Sequence, residues 1–323
     1  MRRPTSRLAA VVAAATLASS AAACGTQPAT TSPSSTDHSA PSQATRSVVD
    51  AKDRVACSTT KLPARNRDAT IQVRLGDSTA TLTGRVGGDR WLPRLRQPRL
   101  ALTTAGDTVT AVLHSATYGP GKEAPYGVTT VGLDRRVQGY VCLARFGAGP
   151  AVALTATYSG GAHCCTALQL VDAAGQVRLL DTGNAGVSLR VVHSELLLTT
   201  GDDAFSYTFA DFADSCWPVR LLLPSDGVLH DVTASHPDVL RADARRAWRL
   251  AEKRPIRTGF LACWAADEER LGADAKVWRT LDALEQQGKL RLPADLTRPG
   301  WWKDGQAYVD QLRTFLTRRG YRS

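Results

Sequence analysis

The sequence lacks the short patterns that most often mark a catalytic or nucleotide-binding site. Its six histidines show no HExxH or other paired spacing, and its 323 residues contain no Gly-x-Ser-x-Gly elbow, P-loop or Rossmann glycine run. Aromatic residues make up only 6% of the chain. Hydrophobic residues reach 43% and charged residues 22%, which is ordinary globular usage and excludes wholesale disorder or a fibrous repeat. The composition therefore predicts a globular body that carries no familiar reaction signature.

The N-terminal apolar run is too short to span a bilayer. Three arginines precede about eleven apolar residues, 8–18, whereas a membrane-spanning helix needs about 20. The following run Ala21-Ala22-Ala23-Cys24 resembles the bacterial lipobox, in which the cysteine is lipidated and becomes the mature N-terminus. An Ala-x-Ala sequence also suits the ordinary signal peptidase, which would leave Cys24 free. We interpret residues 1–23 as a signal peptide and Cys24 as the lipidation site.

The segment after Cys24 is almost entirely Ser, Thr, Pro, Ala and Gln. Such a composition cannot bury enough apolar surface to offset the entropy of ordering the chain. We therefore predict that residues 24–50 are a lipid-anchored, disordered tether. The predicted location is the extracytoplasmic face of the cell membrane, reached through the lipid anchor. The excess of arginine over lysine, 33 to 7, reflects GC-rich codons and suggests an actinobacterial source.

Positive charge is concentrated near the C-terminus. The whole chain has a formal net charge of +10, and residues 241–323 contain 18 Lys and Arg against 11 Asp and Glu. A nucleic-acid partner is not expected outside the membrane. A basic face suits anionic lipid or an acidic wall polymer, and an ordinary solvated helical face is the alternative. Besides the membrane, the expected partner is a cell-wall polymer or an envelope protein.

Two regions of the exported body differ in hydrophobic period. Residues 51–234 show short alternating runs about ten residues apart, and these predict a mostly antiparallel β domain of propeller-like or sandwich type. The runs include Phe205, Tyr207 and Phe209, which predict one such strand. Residues 235–323 show a helical period, with Ser235 as the first cap and glycines ending the later helices. The predicted fold class is α+β, with a small helical domain after the β domain.

Seven cysteines occur, and six remain once Cys24 is assigned to lipid. An even number in an exported protein predicts disulfides. Cys164 and Cys165 are adjacent in the sequence. On a regular strand their side chains would point to opposite faces, so each could bond a different partner. A local kink would instead allow them to bond each other. The preferred pairing is Cys57–Cys142, Cys164–Cys165 and Cys216–Cys263.

The most distinctive segment runs from residue 158 to residue 166 and contains Gly160, Gly161, His163 and the adjacent cysteines. It resembles the GGAHCC motif of a group of exported bacterial proteins, in a sheet similar to FG-GAP-type units. The tail from Gly259 also resembles the tails of actinobacterial lipoproteins. Neither resemblance implies a biochemical activity. The acidic Ca²⁺ loop of FG-GAP repeats is absent from the sequence, and adjacent cysteines do not suit zinc, so we predict no metal, cofactor or catalytic residue.

These patterns together predict a cell-surface lipoprotein that acts as a binding or interaction module of the cell envelope and not as an enzyme. The alternative is a cell-envelope hydrolase or a thiol redox protein. A cleft with convergent titratable groups would distinguish the two hypotheses, because only the second requires one.

Overall fold

The structure is a computed structural model that describes residues 47–49, 54–88, 93–113, 127–133, 137–161, 164–292 and 301–322. All of these residues belong to one compact unit, which runs from residue 44 to residue 323. The predicted signal peptide, Cys24 and most of the predicted tether lie outside the described residues. Within the described ranges, no helix is both long enough and apolar enough to cross a membrane.

Strands fill the first part of the described chain and helices the last, so the prediction of an α+β fold with an N-terminal β region is confirmed. The strands are β1 (Ser47–Val49), β2 (Val55–Ser58), β3 (Asp68–Leu75), β4 (Ser78–Gly88), β5 (Pro93–Thr104), β6 (Asp107–Val112), β7 (Gly127–Thr129), β8 (Val131–Leu133), β9 (Val137–Gly139), β10 (Cys142–Arg145), β11 (Ala151–Gly161), β12 (Cys164–Val171), β13 (Val177–Gly183), β14 (Val187–Val192), β15 (Glu195–Gly201), β16 (Val219–Ser225) and β17 (Val228–Asp231). The α-helices are α1 (Pro237–Lys253), α2 (Thr258–Arg270), α3 (Asp274–Gln286) and α4 (Gly305–Arg318).

The described strands form two sheets. The first sheet has the order β1-β2-β10-β11-β7-β5-β4-β3, with β12 and β13 continuing from β11 and β6 pairing with β5. The second sheet has the order β17-β16-β15-β14-β8-β9. Among the described strands, β14 and β8 pair in parallel and the other neighbours pair antiparallel. Neither sheet closes into a barrel within this part of the chain.

The middle of the first sheet is buried on both faces. Leu143 and Ala153 point into a core shared with β3, β4, β5 and β6, whereas Cys142 and Leu154 point into a core shared with the second sheet. The other face of the second sheet packs on α1 around Val239. The second sheet therefore lies as a layer between the first sheet and the helices.

The β3–β4 hairpin follows the alternation seen in the sequence. Ile71, Val73 and Leu75 are buried, while the residues between them are exposed or half-buried. Gly76, with a φ of +61°, opens the two-residue turn, and Leu75 then pairs with Ser78. Period and turn residues therefore predict this register, and Arg145 adds a long-range contact by donating to the carbonyl of Leu75 at 3.5 Å and to Oδ1 of Asp77 at 2.8 Å.

The ends of three helices also follow the sequence. Gly272, Gly288 and Gly320 come after α2, α3 and α4, and each adopts a positive φ between 68° and 74°. Only glycine adopts this left-handed conformation without a steric penalty, which is why it ends helices so often.

The strand predicted from Phe205, Tyr207 and Phe209 is wrong. Residues 203–205 form a 3₁₀ turn, and Tyr207 has a φ of +57°, which interrupts any extended run. Phe205 and Phe209 are buried in the helical core, where the Phe209 ring centroid lies 5.2 Å from that of Phe315. Packing against α4 thus overrides the local alternation of the three aromatic residues.

The first helix begins one residue later than the predicted cap. His236 occupies the N-cap position of α1, with Pro237 in the first turn, and Ser235 ends a preceding 3₁₀ turn, Thr233–Ser235. Gly259 allows α2 to approach the segment before β16 closely. A Cβ atom at this position would lie 2.1 Å from the carbonyl oxygen of Asp214, so only glycine fits between α2 and that backbone.

Candidate functional site

One side of α1 carries a row of three arginines. Arg241, Arg245 and Arg249 follow one another at intervals of four residues, which places them on the same side of the helix. All three are exposed, and none makes a hydrogen bond or an ion pair with another described residue. Like charges at this spacing destabilise a helix by about 0.2–0.5 kcal/mol per pair. The row therefore lowers helix stability unless a bound anion neutralises it.

Two tryptophans lie beside this row. The ring centroids of Trp248 and Trp264 are 4.9 Å apart with an interplanar angle of 58°. Trp264 is buried in α2, whereas Trp248 is half-buried and its Nε1 donates a hydrogen bond of 2.9 Å to Oε1 of Glu252. The contact with Trp264 and the hydrogen bond to Glu252 hold the Trp248 indole in place. Because Trp248 is half-buried, part of its indole surface stays exposed.

Helix α3 supplies the opposite wall. Nζ of Lys276 lies 2.7 Å from Oε1 of Glu268, and the Glu268 side chain is only 13% exposed. Two adjoining cavities of about 430 and 360 Å³ share these two residues and Arg245. We call this surface the α1–α3 groove: its basic residues are Arg241, Arg245, Arg249 and Lys276, and its floor is Trp248 with Trp264.

The residues of the α1–α3 groove suit binding of an anion attached to a flat apolar ring. Guanidinium groups offer paired donors to carboxylate or phosphate oxygens, and an indole offers an apolar face. Glu268 would repel an anion, but its charge is balanced by Lys276. The three arginines therefore remain as net positive charge that a ligand can neutralise.

Arg270 attaches α2 to the second sheet and thereby positions the groove. Its Nη1 donates a 3.1 Å hydrogen bond to the carbonyl of Val219, and its Nη2 lies 3.5 Å from Oδ2 of Asp231. The guanidinium also lies over the ring of Tyr321, 4.3 Å from the centroid. Burial raises the pKa of Asp231, but hydrogen bonds from Thr233 and the charge of Arg270 outweigh this effect, so the pKa lies below its usual value. The carboxylate is therefore ionised near neutral pH and the ion pair is maintained.

A second anchor joins the C-terminus to the end of β15. Nη2 of Arg319 lies 2.9 Å from Oδ1 of Asp202, and the Tyr321 hydroxyl donates to Oδ2 of Asp202 at 3.0 Å. Asp202 also caps the turn that follows it by accepting from the amide of Ala204. No local sequence pattern indicates this role for Asp202, because its two partners lie more than a hundred positions away.

Asp267 is a buried carboxyl group behind the groove. It is fully buried on α2, and neither of its oxygens has a hydrogen-bond partner among the described residues. Burial raises the pKa of Asp267 well above 3.8, and repulsion from Asp243 adds to this, while Arg270 and Arg246 oppose it. The group is therefore stabilised in its neutral form and contributes to the interior of the helical region rather than to the surface of the groove.

Two predicted disulfides are present in the structure. Cys57 bonds Cys142 between β2 and β10, and Cys216 bonds Cys263, which joins the segment before β16 to α2. Cys165 is also disulfide-bonded. The side chain of Cys164, its predicted partner, lies outside the described residues, so the third pairing stays a prediction.

The GGAHCC motif lies where β11 passes into β12. Gly160 and Gly161 end β11, and Gly161 pairs with Cys164 after a register shift that begins at Tyr158. Such a bulge bends a strand and re-aims its side chains. His163 lies outside the described residues, so no role for its side chain follows from the structure.

Two histidines meet where the β14–β15 turn contacts the start of α1. The ring centroids of His193 and His236 are 5.9 Å apart, with Asp238 Oδ2 at 3.2 Å from His193 and Glu195 Oε2 at 3.7 Å from His236. His236 is buried, and this cluster joins the sheet to the helix. In the part of the chain that the structure describes, no group of three or more His, Cys, Asp or Glu side chains is arranged to hold a metal ion.

No family model, no curated protein and no solved structure matches this chain. The sequence indicated a basic C-terminal region, but it did not show that Trp248 and Trp264 lie beside the arginine row. The interval of four between the arginines was the available signal, whereas the contact with Trp264 depends on how α1 crosses α2.

Proposed function

We propose that this protein is a lipid-anchored binding module of the cell envelope and that its α1–α3 groove holds an acidic cell-wall polymer. The observation that carries the proposal is the row of three exposed, unpaired arginines beside the fixed indole of Trp248. An acidic polysaccharide presents anions at regular intervals along the chain and an apolar face on each sugar ring. Both features have counterparts in the groove.

The shape of the groove favours a polymer over a membrane surface. Helix α1 buries its apolar side, including Ala244, Ala247 and Ala251, in the helical core, so this side does not face lipid. A helix that binds in the plane of a membrane needs an exposed apolar face. The groove is also concave, and a narrow chain enters a concave surface more readily than a flat lipid layer does.

The proposal includes anchoring through lipid on Cys24 at the extracytoplasmic face. Its support is the lipobox-like run in the sequence and the resemblance to exported GGAHCC-motif lipoproteins. The disulfides Cys57–Cys142 and Cys216–Cys263 add to this support, because disulfides persist in oxidising compartments and are rare in the cytosol.

Equilibrium binding to polygalacturonate, a polymer of uronic acid, tests the proposal. We expect the wild-type protein to bind with an affinity that falls as salt rises, and R241Q/R245Q/R249Q to bind at least about tenfold more weakly. The matched control is R65Q/R67Q/R74Q, which removes the same charge from three exposed arginines of the β region. We expect W248A to weaken binding without changing its salt dependence.

Equal losses in the two triple variants would contradict the proposal, since they would mean that only the overall charge attracts the polymer. Absence of binding by the wild-type protein would contradict it as well. Binding to anionic vesicles that depends on the same three arginines, with none to the polymer, would assign the surface to lipid instead.

A further inference from the structure

A second cavity lies at one end of the two facing sheets. Its lining residues, between 146 and 228, are separate from those of the α1–α3 groove. Three hairpin turns meet there: the β10–β11 turn at 147–150, the β12–β13 turn at 172–176 and the β16–β17 turn at 226–227. They enclose a cleft of about 680 Å³, within the usual range for small-molecule sites. We call it the sheet-end cleft.

The floor of the sheet-end cleft is apolar and continuous with the core between the sheets. Phe146 and Leu170 are 5% and 2% exposed, and Val152 and Leu223 pack against the same core. Val228 at the mouth is 53% exposed, which extends the apolar surface outward. Val228 lines the same cleft as these four residues, so together they offer apolar surface to a ligand.

One cationic side chain, Arg178, reaches into the cleft. It is half-buried, and its Nη2 donates a 2.9 Å hydrogen bond to Oε1 of Gln176. It forms no ion pair with any described residue, although two carboxylates also line the cleft. Asp172 accepts from the amides of its own turn, and Asp226 accepts from the hydroxyl of Ser225. Neither carboxylate therefore takes a guanidinium donor, and Gln176 is the one hydrogen-bond partner of Arg178 among the described residues. Both carboxylates keep their negative charge, so an anionic ligand group has to pair directly with Arg178 at the cleft.

The guanidinium of Arg178 lies against Gly227. A Cβ atom at this residue would lie 1.9 Å from Nη2 of Arg178, so the guanidinium packs directly on the glycine backbone. Gly227 has a φ of +72°, which glycine tolerates best. The turn thus leaves room for the arginine at the rim of the cleft.

We propose that the sheet-end cleft binds a single-chain amphiphile that carries a carboxylate. The apolar chain lies on Phe146, Val152, Leu170 and Leu223, and the carboxylate pairs with the guanidinium of Arg178. A planar guanidinium matches a carboxylate with two parallel hydrogen bonds, and a partly desolvated pair of this kind is stronger than an exposed one. The site is independent of the α1–α3 groove and of its polymer.

Titration with dodecanoate below its critical micelle concentration, and with dodecanol below its solubility limit, tests this proposal. The two probes share the apolar chain and differ in charge. We expect the wild-type protein to bind dodecanoate more tightly than dodecanol. We expect R178Q to bind dodecanoate at least about tenfold more weakly while its affinity for dodecanol is unchanged.

Two further variants make the result specific. A148W fills the mouth from an exposed turn residue and should weaken the binding of both probes, whereas R74Q removes an exposed arginine elsewhere and should change neither. Melting temperatures of all variants confirm that they are folded. Failure of the wild-type protein to bind dodecanoate, equal affinity for the two probes, or unchanged dodecanoate binding in R178Q would overturn the proposal.

Discussion

Replacing Asp267 with asparagine should change how the stability of the protein depends on pH. The carboxyl group is fully buried and its pKa is raised well above 3.8 by burial and by Asp243. The folded protein therefore holds this proton more tightly than the unfolded chain does. The stabilisation that protonated Asp267 gives to the folded protein is fully present below pH 3.8 and is lost as the pH rises toward the raised pKa.

The magnitude follows from proton linkage. Between the unfolded and the folded pKa, one such group lowers the free energy of unfolding by about 1.4 kcal/mol for each pH unit. The carboxamide of D267N stays neutral throughout and removes this slope. We therefore expect D267N to approach wild-type stability near pH 4 and to exceed it increasingly toward neutral pH.

Urea denaturation at several pH values between 4 and 8 measures the difference. The matched control is D282N, at an exposed position on α3 where the side chain has no hydrogen bond or ion pair within the described structure. We expect the control to follow the wild-type curve. Parallel curves for D267N and wild type would refute the reasoning, because they would mean that Asp267 is ionised in the folded protein at no cost.

Three other predictions concern the Cys216–Cys263 disulfide, the Asp202 contacts and the lipid on Cys24. The double variant C216S/C263S, which opens a link between residues 47 positions apart, should lower the free energy of unfolding by about 4 kcal/mol in guanidinium titrations, and an unchanged midpoint would contradict this. D202A leaves Arg319 and the buried Tyr321 hydroxyl without their acceptor and should lower stability by about 1–3 kcal/mol, whereas exposed D282A should not. C24A should lose the lipid mass and leave the membrane fraction or retain an uncleaved signal peptide; unchanged fractionation of this variant would count against lipidation.

The features that the sequence predicted correctly are those that local forces determine. The β3–β4 hairpin follows from period-two burial and a glycine turn, and the ends of α2, α3 and α4 follow from single glycines in the left-handed conformation. The Cys57–Cys142 disulfide is an exception, because it joins residues 85 positions apart through β2 and β10, which lie side by side.

The features that the sequence did not predict depend on residues far apart in the chain. Phe205 and Phe209 alternate like a strand, yet they fill the helical core because α4 provides aromatic partners for them. The partners of Asp202 come from beyond the end of α4. The basic character of α1 is visible in the sequence, but the groove exists only because α2 and α3 bring Trp264 and Lys276 against it.

Polymer binding at the α1–α3 groove is tested most directly by following the NMR signals of its two tryptophans during a titration. The protein is labelled with 5-fluorotryptophan, and its ¹⁹F NMR signals are assigned by single Trp-to-Phe variants. On titration with polygalacturonate, we expect the signals of Trp248 and Trp264 to shift in a saturable way. Trp217, whose Nε1 donates to Ser206 at 2.7 Å beside the end of β15, should stay unchanged. Saturable binding that leaves the Trp248 signal in place would show that the polymer binds elsewhere and would contradict the account.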